Sequence, residues 1–128
     1  MSAQQQTFTN QDGSVERTGT YGDSESMSAI IAPAGATSIT LQFTSIETEE
    51  CCDFVTIKSC TTPDCLQSTQ IGRYSGTTIQ GPVTSDTGIM LIQWDSDSSV
   101  SGYGWSADWS IRINGGSFSY IRVTEGPN

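Results

Sequence analysis

The chain contains no histidine, and only five basic residues (Arg17, Lys58, Arg73, Arg112 and Arg122) stand against fourteen acids, for a formal net charge of -9. The missing imidazole removes every Ser-His-Asp or Cys-His catalytic set. The acidity sets nucleic acid aside, because a polyanion is repelled. It also makes an anionic membrane surface a poor partner unless a cation bridges the two. Leu and Lys are scarce, and no apolar run approaches the roughly 18 residues of a membrane span, so membrane insertion is not expected. No segment carries helical periodicity of useful length. Cysteine is limited to Cys51, Cys52, Cys60 and Cys65, without paired C-x₂-C spacing or a histidine to assist. Zinc is therefore a weaker reading than disulfides, and an even number of cysteines in a small chain points to an oxidising compartment. No leader is visible, since Met1 is followed by polar Ser-Ala-Gln-Gln-Gln. The expectation is a secreted chain whose leader has been removed and replaced by an added Met1.

What the chain does hold is Ser, Thr and Gly, with turn signals at Asp12-Gly13, Pro33-Ala-Gly35, Ser75-Gly76 and Asn114-Gly115. Short apolar stretches between such turns read as an all-β sandwich, and 128 residues suffice for one domain. The first six residues are polar and expected to be disordered. Short strands are expected between Phe8 and Tyr21 and over Met27 to Ala32. From Ser38 to Phe43 the chain alternates, with Ile39, Leu41 and Phe43 on one face. Val55 and Ile57 share a face, and Thr69 to Tyr74 follows. Ile89 to Trp94 is apolar on both faces and should be a central strand. Trp105, Ala107, Trp109, Ile111 and Ile113 face inward on a further strand, and Ser117 to Val123 forms a last one after Asn114-Gly-Gly. Eight or nine strands at this spacing predict two packed antiparallel sheets.

Two acidic clusters stand out: Ile46 to Phe54, which surrounds Cys51-Cys52 with four acids, and Asp95-Ser96-Asp97 about forty residues on. On spacing alone these are solvated loop charges. Brought together by folding, they would be oxygen ligands for a hard cation such as Ca²⁺. Two carboxylates about 4 Å apart repel by roughly 4 kcal/mol at an effective dielectric near 20. Converging acids therefore call for a cation, protonation or splayed loops.

The cysteines are constrained by reach. Cys52 and Cys60 flank one strand, roughly 26 Å apart at about 3.3 Å per residue, against the roughly 7 Å a disulfide allows. Cys60 and Cys65 flank the turn-like Thr-Thr-Pro-Asp, so Cys60–Cys65 is predicted, which leaves Cys51–Cys52 as a vicinal disulfide or as free thiols. The rival arrangement joins Cys51 or Cys52 to Cys65.

Several stretches occur in an order that resembles a CUB domain: Thr20-Tyr21, I-I-A-P-A-G-A-T-S-I-T-L-Q-F (30–43), I-E-T-E with C-D-F-V-T-I (52–57), I-G-R-Y-S-G (71–76), G-P-V (81–83) and W-D-S-D-S-S-V-S-G-Y-G-W-S-A-D-W (94–109). The resemblance spans about residues 21–113. It implies a jelly-roll-type β-sandwich, to which the strand over 117–123 would be an extra C-terminal addition, with extracellular or secreted localisation, membership of a larger secreted protein, and no enzymatic activity. It further implies Ca²⁺ held by Glu49, Asp53 and Asp97, with Ser98 and Ser99 adding oxygens and with Tyr21 and Asp95 supporting them. Glu47 and Tyr103 would then contact a ligand, either a protein offering a basic side chain or a glycan. A structural or adhesive module assembling through strand edges is the alternative. The cysteine pattern departs from the family's: Ser75 stands where a Cys is usual, and the first-strand Cys pair is missing.

Overall fold

A computed structural model of the chain describes residues 4–18, 25–96 and 104–113. Nine strands run through them: β1 (Gln4–Phe8), β2 (Gly13–Thr18), β3 (Ser26–Ile31), β4 (Ala36–Glu47), β5 (Phe54–Cys60), β6 (Ser68–Tyr74), β7 (Val83–Ser85), β8 (Met90–Asp95) and β9 (Gly104–Ile113). They form a five-stranded sheet in the order β1-β3-β8-β5-β6 and a four-stranded sheet in the order β2-β9-β4-β7. β8 occupies the centre of the larger sheet, as its two apolar faces require. Met90, Ile92 and Trp94 enter the core, while Leu91 packs outside with Ile30 and Cys60. The segment from Ser117 to Val123 lies outside the described residues.

The core fills the space between the sheets with Ile39, Leu41, Phe43, Val55, Ile57, Trp94, Trp105 and Trp109, each at most 3% exposed. Trp105 bridges the layers, 6.5 Å from Trp94 and 6.1 Å from Phe43 between ring centroids. A buried ring of this kind removes about 150–250 Å² from water, worth roughly 4–6 kcal/mol before entropy is counted.

Along β4 the inward alternation of Ile39, Leu41 and Phe43 would next place Ser45 and Glu47 in the core. A bulge between Phe43 and Ser45 shifts the register against β9 and prevents this. Thr44 and Ser45 are both exposed, and their hydroxyls meet Ser106 Oγ at 2.6 and 2.8 Å. Beyond the bulge Ile46 turns in, Glu47 out and Thr48 in. β4 thus runs four residues past the predicted end at Phe43 and leaves the sheet with a buried Thr48.

The amino-terminal reading needs correction. Polar composition predicts disorder through residue 6, yet β1 begins at Gln4 and pairs with β3 from Gln4↔Met27 to Phe8↔Ile31. That pairing is parallel, so the larger sheet is not wholly antiparallel. Backbone hydrogen bonding is indifferent to the three glutamines, and Phe8 anchors the strand 4.9 Å from the Trp109 ring. The Ala32 amide also donates to the Phe8 carbonyl at 2.9 Å.

At the far end of β5 a disulfide joins Cys60 and Cys65, with Cα atoms 5.0 Å apart. Inside this loop the Asp64 carboxylate accepts from the Thr62 hydroxyl and from the Leu66 amide. The Thr62 bond, then the Leu66 bond, hold the carboxyl below its ordinary 3.8. A depressed folded-state value contributes stability above the unfolded value and loses it as pH falls through the folded one. The Leu66 amide resonance should therefore titrate with a midpoint below 3.8; a midpoint at or above that value contradicts the bond.

Two glycines separate backbone strain from crowding. Gly35 and Gly88 share a φ of +79°, but a Cβ on Gly35 meets nothing within 4 Å, whereas one on Gly88 falls 2.1 Å from the Ala36 carbonyl oxygen. Gly35→Ala should cost about 1–2 kcal/mol, the left-handed penalty alone. Gly88→Ala should cost at least about 1–3 kcal/mol more, read as midpoints of urea unfolding. Equal losses would show that the Gly88 turn yields freely.

Candidate functional site

Strand register gathers the acids at one end of the sandwich. β8 ends at Asp95, which pairs with Phe54 at the start of β5 and with Ser26 at the start of β3. Glu47 at the end of β4 pairs with Gly104 at the start of β9. Glu25, Glu47, Glu49, Glu50, Asp53 and Asp95 therefore cluster near these strand ends, although they are scattered along 71 residues of sequence. The Arg73 guanidinium sits 3.7 Å from the centroid of the Phe54 ring, which begins β5 at this end.

The turn from β4 to β5 carries two of the predicted ligands. The Glu49 carbonyl accepts from the Cys52 amide at 3.1 Å and from the Asp53 amide at 3.0 Å, closing one tight turn. Thr48, 7% exposed, clamps this turn from below. Its hydroxyl donates to the Asp53 carbonyl at 3.1 Å and accepts from the Gly76 amide at 2.9 Å, while its own amide donates to the Gly76 carbonyl at 2.9 Å. The neighbouring Ser75 hydroxyl donates to the Glu50 carbonyl at 2.7 Å. Ser75, at the position where the family resemblance expects a cysteine, thus ties β6 to the turn by a hydrogen bond. Gly76 adopts a φ of +82°, which glycine takes without steric cost. A vicinal disulfide joins Cys51 and Cys52 at the tip.

Asp53 is fully buried, and Glu49 is half-buried with its Oε1 withdrawn from solvent. Glu47 and Asp95 are exposed. Asp97, Ser98, Ser99, Tyr21 and Tyr103 lie outside the described residues. Ser96, the residue before Asp97, is held at this end by Glu25: the Ser96 amide donates to the Glu25 carbonyl at 2.9 Å, and the Glu25 amide donates to Ser96 Oγ at 2.7 Å.

Glu25 was not legible as part of this end. Its carboxylate accepts from Trp94 Nε1 at 3.1 Å, which fixes an acid beside the exit of the central strand. Only the β3–β8 register reveals this, and a lone Glu ahead of a short strand carries no such signal. Tyr74 is partly buried against Phe43, 5.1 Å between rings, and that burial raises its phenol above the usual value. An open groove of about 450 Å³ lies at the opposite end between β6 and β7, lined by hydroxyls, Gln67, Asp86 and Ile71, with no aromatic ring among its lining residues.

The donor set decides which cation fits. A Glu49 carboxylate oxygen and the Cys51 and Cys52 sulfurs lie within 4.8 Å of one another. Both sulfurs are spent in a disulfide and offer no thiolate. The acids that remain present oxygen alone, and oxygen donors on a turn suit a hard cation.

A CUB domain model matches residues 5–109. The second CUB domain of MASP-1, solved bound to Ca²⁺, superposes with a TM-score of 0.70 at 22% identity, covering 82% of this chain and 96% of that one. The full extracellular region of zebrafish Gpr126/Adgrg6 gives a TM-score of 0.70 at 22% identity over 84% of this chain and 14% of its own length. The CUB1-EGF-CUB2 segment of human MASP-1/3 gives 0.69 at 22%, over 82% of this chain and 40% of that one. No curated protein matches the chain by sequence. At such identity the superpositions establish the fold, and the family model adds membership: the chain belongs to the CUB domain family, whose members are in general non-enzymatic interaction modules found mainly in extracellular proteins.

Proposed function

We propose that this domain binds Ca²⁺ at its acidic end and uses the ordered loops to hold a basic side chain of a partner protein, as one module of a secreted protein. The observation that carries the reading is the wholly buried Asp53, four residues and one pinned turn from Glu49. A carboxylate removed from water is stable only where its charge is compensated. A divalent cation between Glu49 and Asp53 would add to the partners that both residues already have within the chain, and it accepts oxygens at varied angles. Asp97 is assigned as the third carboxylate because it follows Ser96, which Glu25 holds at this end. Ser98 and Ser99 would add oxygens from the same loop, and Tyr21 and Asp95 would orient the ligands. The similar MASP-1 CUB2 domain, solved bound to Ca²⁺, supports the choice of cation. Exposed Glu47 and Tyr103 would then meet the partner, with excess negative charge attracting its Lys or Arg. Such a contact weakens with salt and with chelation. A glycan held at the same acidic end is the variant of this reading.

Thermal melts test the cation directly. Free Ca²⁺ at 100 times its dissociation constant adds about 2.7 kcal/mol, which for a domain of this size raises Tm by about 10 °C. Asp53→Asn should abolish the rise, while Asp86→Asn, an exposed acid at the opposite end, should leave it intact. A melt indifferent to Ca²⁺ removes the proposal.

The clamp under the turn has its own signature. Thr48→Val keeps the shape but strands the Gly76 amide and the Asp53 carbonyl, at a cost of about 1–3 kcal/mol. Calorimetric titration should also show weaker Ca²⁺ binding, because Asp53 is no longer held from behind. Full affinity in a destabilised variant would mean that the turn orders itself without Thr48.

A further inference from the structure

The vicinal cysteines carry donor atoms that the oxygen site does not use, and they lie beside Glu49, which it does. Cys51 Sγ, Cys52 Sγ and a Glu49 carboxylate oxygen share one 4.8 Å neighbourhood. Ligands of a tetrahedral cation with bonds of about 2.0–2.3 Å stand about 3.5 Å apart, so these three atoms need only side-chain adjustment to converge. Their backbone is held without help from sulfur. The Glu49 carbonyl takes the Cys52 and Asp53 amides, Thr48 takes the Asp53 carbonyl to Gly76, and Ser75 takes the Glu50 carbonyl. Opening the disulfide leaves each of these bonds in place.

The two disulfides also differ in access. Cys51 is exposed, whereas Cys60 is fully buried. Thiol–disulfide exchange requires a thiolate to reach sulfur, so an external dithiol meets the vicinal bridge first. We infer that the reduced chain binds a thiophilic d¹⁰ cation, Zn²⁺ or Cd²⁺, between the Cys51 and Cys52 thiolates and the Glu49 carboxylate. A dithiol reductant supplies two electrons and two protons, breaking the Cys51–Cys52 bond and closing its own disulfide. The cation then displaces the two thiol protons to solvent and forms two metal–sulfur bonds and one metal–oxygen bond, with water in the fourth position. In the oxidised chain both sulfurs are spent in the disulfide and cannot ligate. The inference needs neither Asp53 nor Asp97 and shares only Glu49 with the Ca²⁺ reading, so either can fail without the other.

The test uses the full chain, treated with a dithiol until two thiols per molecule titrate, freed of reductant without air, and titrated with Cd²⁺. One Cd²⁺ per monomer is expected, with the ultraviolet sulfur-to-cadmium charge-transfer band. The band should persist in C60S/C65S and vanish in C51S/C52S. Glu49→Gln keeps both thiols and the turn, so it carries the test even where the cysteine variants fold poorly. It should weaken Cd²⁺ binding by at least the roughly tenfold that losing even an indirect partner costs. A band that survives in C51S/C52S, unchanged affinity in Glu49→Gln, or Cd²⁺ bridging two chains on size exclusion would each overturn the inference.

Discussion

The acidic end depends on a single buried hydroxyl. Thr48 joins the carbonyl of Asp53 to the amide of Gly76, so the turn carrying the acids is fastened to the β6–β7 connection and cannot splay. The hydroxyl is there because of the bulge in β4. With strict alternation Glu47 would point into the core and Thr48 out. One extra residue between Phe43 and Ser45 reverses this, leaving Glu47 in water and Thr48 beneath the turn. A local backbone irregularity thereby decides which side chains at this end are structural and which are presented.

Much of this was legible in the chain, for identifiable reasons. Period-2 alternation located β4 and β9, because one face of each enters the core between the sheets. The two apolar faces of β8 placed it at the centre of a sheet. The features that escaped are those set by backbone pairing rather than by side-chain character. β1 is Gln-rich and looks unstructured, yet it pairs in parallel with β3. The β4 bulge is invisible in T-S-I-E because neither residue is a glycine. Glu25 joins the acidic end only through the β3–β8 register and its bond to Trp94. Glu49 and Asp53 could be singled out by resemblance to a family, but the complete burial of Asp53 could not be read from spacing.

The electrostatics of the domain are unevenly shared. With a net charge of -9 the molecule repels polyanions everywhere, but the strand ends concentrate that charge around Glu25, Glu49 and Asp53. The Arg73 guanidinium lies over the Phe54 ring at this end. The fold thus presents a concentrated anionic end on a rigid sandwich, which suits recognition of a positive group. Cysteine contributes at both ends in different ways. Cys60–Cys65 closes a surface loop over the outer face of the larger sheet, and Cys51–Cys52 caps the acidic turn. Both lie where hydrogen bonds already shape the chain, so each reinforces a local conformation rather than joining distant parts of the fold.

The most direct measurement is a crystal structure grown in Ca²⁺ with anomalous data. A calcium-scattering peak bonded at about 2.4 Å by Glu49, Asp53 and Asp97 is the predicted result. Carboxylates of Glu49 and Asp53 pointing apart, with no anomalous peak between them at saturating Ca²⁺, would contradict it.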